Sequence, residues 1–263
     1  MKRLGLRVVA LGYLAVLLAI PVGLVFYRTF EHGLGHVYDS ITTPAAIHAF
    51  WLTIEIAAIA VPLNAIFGVL TALTLVRGRW RGKGLVQAII DLPFAVSPVV
   101  IGLSLILVYG HNGWLGSWLA DNGIKVIFAL PGMVLATIFV SLPFVVREVE
   151  PVLREVGDEQ EQAAATLGAG RWQAFWRITL PSIRWGVAYG VVLSVARCIG
   201  EFAEVSVVSG KIAGQTETLT LLVDKRFSNF DLAGAYAASA LLAVIALATL
   251  LAMTLIKPRK EPT

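Results

Sequence analysis

Six stretches of mainly apolar residues, near 8–27, 47–76, 85–109, 124–146, 183–208 and 234–256, constrain this chain more than any other feature. A helical bilayer crossing takes about 20 apolar residues. Hydrocarbon offers no water to satisfy a backbone N–H or C=O, so such stretches fold as helices that bond internally. The reading is a single all-α integral-membrane domain over residues 1–263, with six transmembrane helices. Apolar residues fill 57% of the chain and charged ones 14%, a mix foreign to soluble domains.

The basic residues choose an orientation. With the N-terminus in the cytoplasm, Lys2, Arg3, Arg7, Arg77, Arg79, Arg81, Lys83, Arg147, Arg154, Arg171, Arg177, Arg184, Lys257, Arg259 and Lys260 all lie inside. Only Arg28, Lys125, Lys211, Lys225 and Arg226 lie outside, and Arg197 falls within a helix. The positive-inside rule therefore predicts N-in and C-in, with the long polar loop 147–182 in the cytoplasm. The cations are spread over short loops and form no single patch, which argues against nucleic acid as a partner. The apolar run after Arg7 extends to Tyr27 with no small-residue cleavage site behind it, so it is expected to stay as an anchor.

Prolines and charges mark where the helices depart from plain rods. Pro21, Pro62, Pro93, Pro98, Pro131 and Pro143 each remove a backbone donor and favour a bend. The run Asp91-Leu92-Pro93-Phe94-Ala95-Val96-Ser97-Pro98 is expected to turn inward, with Asp91, Pro93 and Ser97 beside a pathway or in a packing kink. Charges inside hydrocarbon are costly and usually face a bundle interior or water. Glu55, Asp91, Arg197, Glu201 and Glu204 are the candidates. Arg197 and Glu201 are four apart and share a face if their helix is continuous. Together with Gly200, Phe202 and Glu204 they read either as a polar lining or gate, or as a clamp holding the bundle.

The polar loop reads as helix, glycine turn, helix. Glu155, Asp158, Glu159 and Glu161 precede Ala163 and Ala164, and Gly168 supplies a stop that tolerates a left-handed backbone. Beyond it, Trp172, Phe175, Trp176 and Leu180 recur at helical spacing and give one large apolar face, with the next span starting near Pro181. Such a face can sink into the lipid interface or fill a groove on a partner.

This stretch resembles the EAA loop of ABC importer permeases, whose pattern is E-A-A-x3-G-x9-I-x-L-P. Gly168, Ile178, Leu180 and Pro181 stand at the pattern's glycine and its I-x-L-P, and Ala163 and Ala164 at its alanines. The pattern's glutamate falls on Gln162, with Glu161 and Glu159 alongside. The resemblance implies a MetI-like six-helix permease whose helix-turn-helix docks in a cleft of a separate ATPase and transmits its cycle. Three further segments resemble the sulfate/thiosulfate permeases, above all their W-type subunit, within a wider group that includes molybdate and tungstate permeases. They are Asp91 to Gly102, Pro143 to Glu148, and Ala196 to Gly210, with Glu204 where those relatives carry a small residue. By resemblance, the chain is expected to be a bacterial inner-membrane subunit of an ATP-driven oxyanion importer. It would pair with a second, similar permease, a cytoplasmic ATPase dimer and an extracytoplasmic binding protein. Cargo choice would rest mainly with that binding protein.

Other functions find little support. The chain has no G-x-x-x-x-G-K-[ST] run, so ATP and Mg belong to the partner and no cofactor is expected here. No H-E-x-x-H or G-x-S-x-G run occurs, and the lone Cys198 reads as a packing residue. His32 and His36 are spaced for a helical metal pair, but Gly33 and Gly35 flank them; His48 and His111 complete the histidines, all in outer segments. A secondary transporter with a proton site at Glu55, Asp91 or Glu204 is the alternative class, told apart by uptake that persists without ATP and collapses with the ion gradient.

Overall fold

A computed structural model describes residues 2–31 and 33–256, and side chains over 7–31, 33–252 and 254. His32, Lys257, Arg259 and Lys260 therefore lie outside the described residues, as do the side chains of Lys2 and Arg3. Every regular element among the described residues is helical.

The first span is α1 (Lys2–Leu14), a π turn over Ala15–Ala19, and α2 (Ile20–Phe30). The π turn has a local cause: Pro21 cannot donate to the carbonyl four residues back, and its ring crowds that carbonyl. Shifting the Ile20 N–H to Ala15 O opens the turn and relieves both. None of the core window of this span is buried within the chain, and Thr29 at its end tethers it by donating to Tyr236 O at 3.0 Å. A short helix, α3 (Gly33–Ile41), leads to α4 (Pro44–Arg77), a 34-residue rod capped by Thr43, which accepts from the Ala46 N–H.

The third apolar stretch is not one helix. α5 (Lys83–Ala95) and α6 (Pro98–Tyr109) meet at 114°. Pro98 forces the residue before it out of the helical region, and both Val96 and Ser97 are extended. The run does not turn wholly inward either: Leu92, Phe94, Ala95 and Ser97 are exposed on the single chain. After α7 (Gly116–Asp121), α8 (Leu130–Val156) runs ten residues past the expected end near 146. Its charged continuation stays helical because Val149 and Leu153 are fully buried in register.

The polar loop is thus shorter than 147–182. It comprises α9 (Glu159–Thr166), a turn at Gly168, α10 (Arg171–Ala174) and a second π turn over Phe175–Thr179 that passes directly into α11 (Leu180–Ile199). α11 opens one residue before Pro181, close to the expected start, yet no break precedes that proline. The π turn, with Leu180 N–H bonded to Phe175 O, accommodates it as the first π turn accommodates Pro21. The fifth stretch, expected as 183–208, breaks at Gly200 and resumes as α12 (Ala203–Ser209). The short α13 (Leu219–Ser228) precedes the last span, α14 (Leu232–Ile256).

α4, α8 and α11 form the central trio, and small residues set their spacing. A Cβ on Gly68 of α4 would stand 2.6 Å from Val145 Cγ1 of α8, and one on Gly190 of α11 would stand 2.8 Å from Val145 Cα. Val145 is held between two glycines, the close approach that membrane helices use where lipid competes equally for apolar surface. A polar seam crosses the same trio: Asn64 donates to Ser141 Oγ at 2.6 Å, Ser141 donates to Thr137 O, and Cys198 approaches Ser141 Oγ at 3.6 Å.

Candidate functional site

Two regions at opposite ends of α11 gather the residues singled out by sequence. The first is the break after α11. Gly200 ends the helix, and the freed backbone is satisfied locally: Glu201 Oε1 accepts from the Phe202 N–H at 3.0 Å, and Thr220 Oγ1 donates to Glu201 O at 2.6 Å. Although the helix is not continuous, Arg197 still pairs with Glu201, and its other nitrogen lies 3.6 Å from Glu204 Oε1. Glu201 is 4% exposed and Glu204 0%, and neither Glu204 oxygen has a hydrogen-bond partner among the described residues. One cation therefore serves two buried carboxylates. A cavity of about 10 Å³ bordered by Thr53, Thr137, Cys198 and Glu201, room for one water-sized molecule, joins this cluster to the polar seam. α12 is pressed on α6, where a Cβ on Gly102 would stand 3.0 Å from Glu204 O.

Other candidates go elsewhere. Asp91 accepts two hydrogen bonds from Arg147 of α8, at 3.1 and 2.8 Å, and the Arg147 guanidinium sits 4.4 Å from the centre of the Phe94 ring. Asp91, Pro93 and Ser97 thus belong to the bend between α5 and α6 and not to the Arg197 cluster. Glu55 is exposed on the side of α4. Residues that composition alone did not mark also appear: Glu217, buried, pairs with Lys225 at 2.9 Å, and Lys211 pairs with Asp224 at 3.0 Å.

The second region is the hairpin of α9 and α10. Gly168 turns it with φ +87°, a backbone state only glycine adopts without strain. Trp172, Phe175 and Trp176 pack on one another, with Trp172 and Phe175 stacked at 5.9 Å and Trp172 edge-on to Trp176 at 5.6 Å. Yet Trp172 and Trp176 remain exposed, as do Gln162, Ala163, Pro181 and the tip residue Leu167. Ala164, Ile178 and Leu180 are half-buried. An aromatic cluster so open leaves an apolar face for a partner's groove or for the lipid interface. Leu167 escaped the sequence reading because a lone leucine beside a glycine carries no periodic signal.

The architecture, an all-helical bundle of apolar spans, two of them broken, with a projecting hairpin, is that of the membrane permease of an ABC importer. A solved bacterial alginate ABC transporter, in complex with an alginate-bound periplasmic protein, shares it with a TM-score of 0.80 at 18% identity, covering 98% of this chain and 94% of that one. Residues 64–262 match the binding-protein-dependent transport system inner membrane components, and the chain belongs to that family. Among curated proteins it is 48% identical over 250 residues to the sulfate transport system permease protein CysW of Synechocystis sp., covering 95% of this chain and 91% of that one. It is 39% identical over 242 residues to the sulfate transport system permease protein CysT of Escherichia coli K12, covering 92% and 86%.

Proposed function

We propose that this chain is one half of the pore of an ATP-driven importer for a tetrahedral oxyanion, sulfate or thiosulfate. The observation that carries the reading is the 48% identity to a sulfate permease over nearly the whole chain. Likeness to both a CysW and a CysT protein supports a partner permease of the same fold and a heterodimeric pore. The alginate transporter, solved with its periplasmic protein, supports delivery of cargo by an external binding protein. The exposed aromatics of the hairpin support docking to a cytoplasmic ATPase dimer, and the excess of basic residues on the hairpin's side supports an N-in, C-in orientation in a bacterial inner membrane.

In this reading the Arg197 cluster acts on the cargo's charge. A lone cation in the path of a dianion would hold it, and two acids would repel it. A cation already shared by two buried carboxylates is largely neutralised, so it can meet a passing anion without holding it in a deep trap.

The test is uptake of labelled sulfate by the complex of this chain, its partner permease, ATPase and binding protein in liposomes. Uptake should require internal ATP and survive collapse of the ion gradient. Transport that ignores ATP and follows the gradient sinks the importer reading, and preference for molybdate over sulfate reassigns the cargo. A cysteine at Gln160 should react with an impermeant thiol reagent only from the cytoplasmic side.

A further inference from the structure

Beyond the exposed docking face, the hairpin has a second face that holds it to the bundle. α9 buries none of its residues, so apolar packing does not fix its position. Beneath the hairpin lies a cavity of about 360 Å³ bordered by Leu73, Arg77, Glu161, Ala165, Phe175 and Thr179. A side-chain network bridges this gap. Arg77, the last residue of α4, meets Glu161 side-on, with Nε 3.2 Å from Oε2 and Nη2 3.2 Å from Oε1. Its remaining donors go to Leu153 O at 3.2 Å and to Gly157 O, the end of α8 and the residue after it. Glu161 in turn accepts from Thr179 Oγ1 at 2.9 Å, at the last position of the π turn that opens into α11.

We infer that Arg77 and Glu161 are the positioning pair through which movement of the hairpin reaches the transmembrane helices. This rests on the importer reading and deepens it. Arg77 joins α4, α8 and α9 at one guanidinium, and Glu161 adds the root of α11, so the network ties the hairpin to all three helices of the central trio. The bidentate geometry resists rotation as well as separation, which a single contact does not. It also explains where the acid of the EAA pattern has gone. Gln162 occupies the exposed position, while Glu161, one residue earlier, turns to the bundle. The two neighbours divide the labour, one facing outward and one gripping inward.

The experiment uses the assembled complex in lipid nanodiscs, with a spin label on Gln160→Cys of α9 and the buried Cys198 left in place. Arg77→Glu and Glu161→Arg should each raise the label's mobility and lower the sulfate moved per ATP hydrolysed by about tenfold, while ATPase co-purification stays within about twofold. The double exchange Arg77→Glu with Glu161→Arg should recover at least about threefold of that ratio over either single change. The proposal is overturned if the single variants keep a rigid hairpin and the parental transport ratio. It is equally overturned if they shed the ATPase in proportion to lost uptake, or if the exchange recovers nothing. Should the parent complex itself fail to move sulfate, the cargo reading falls, while the label's mobility still reports on the pair.

Discussion

At one end of the continuous Arg171–Ile199 helix, two carboxylates lie almost wholly out of solvent, Glu204 at 0% and Glu201 at 4% exposure; at the other, Trp172 is 71% and Trp176 51% exposed. Each end reverses the burial its residue types prefer, and the reversals differ in how they are resolved. The buried charges find their counter-ion in Arg197, four residues before Glu201 and seven before Glu204. The exposed rings pack on one another and on the half-buried Phe175. A site resolved within the chain should respond to mutation as a stability defect. One left open should respond only when the missing surface is supplied, and the contrast can be broken from either side.

The largest effect is expected at the closed end. Arg197→Ala leaves two carboxylates buried without a cation, a situation that typically costs about 3–5 kcal/mol. The thermal midpoint of the purified permease should fall, and uptake with it, and adding Glu204→Gln to the same chain should restore part of both. If Arg197→Ala and Glu201→Ala both leave uptake and stimulated ATP hydrolysis at the parental level, the charges take no part in passage. If stability is untouched as well, the carboxylates are hydrated through the pathway and the contrast disappears.

At the open end, Trp172→Ala and Trp176→Ala should leave the midpoint of the isolated permease where it was. Each should instead weaken retention of the ATPase about thirtyfold, the loss of about 2 kcal/mol common for an aromatic anchor. Loss of permease stability with normal ATPase retention would place the rings in the lipid interface instead.

The range of each signal decides how much of this was legible in the sequence. Bilayer spans and the aromatic face of the hairpin are local periodicities, and both were readable. The breaks at Ser97 and Gly200 lie inside apolar stretches whose composition is the same on either side, so a length rule joins what the backbone divides. The extension of α8 to Val156 was hidden by Arg147, Glu148, Glu150 and Arg154, whose charges mask the buried pair Val149 and Leu153. Arg197 and Glu201 were paired by their spacing, and the pair holds even though the helix assumed for it does not. Arg77 and Glu161 stand 84 residues apart, beyond any pattern that one sequence displays.

A smaller effect is expected from Gly168→Ala. The added methyl would meet nothing within 4 Å, so crowding contributes nothing. The φ of +87° remains, and holding a residue with a Cβ there costs about 1 kcal/mol. The turn should open slightly without unfolding the spans, seen as a fewfold loss of ATPase retention at an unchanged thermal midpoint. A loss as large as that of Trp172→Ala would mean that the turn itself touches the partner.

The smallest effect, and the finest probe of the open end, is Gln162→Glu, which restores the acid of the EAA pattern at an exposed position. An exposed charge pair contributes only about 0.2–1 kcal/mol, so ATPase retention should change by at most about fivefold. The sign and salt dependence carry the information. Tighter binding that fades between low and high ionic strength means that the partner presents a cation opposite residue 162, unanswered by the amide. Weaker binding means that the partner presents an acid opposite residue 162, which the amide tolerates and a carboxylate repels. An effect independent of salt would move residue 162 from the rim into the dry centre of the docking surface, where the open end would resemble the closed one.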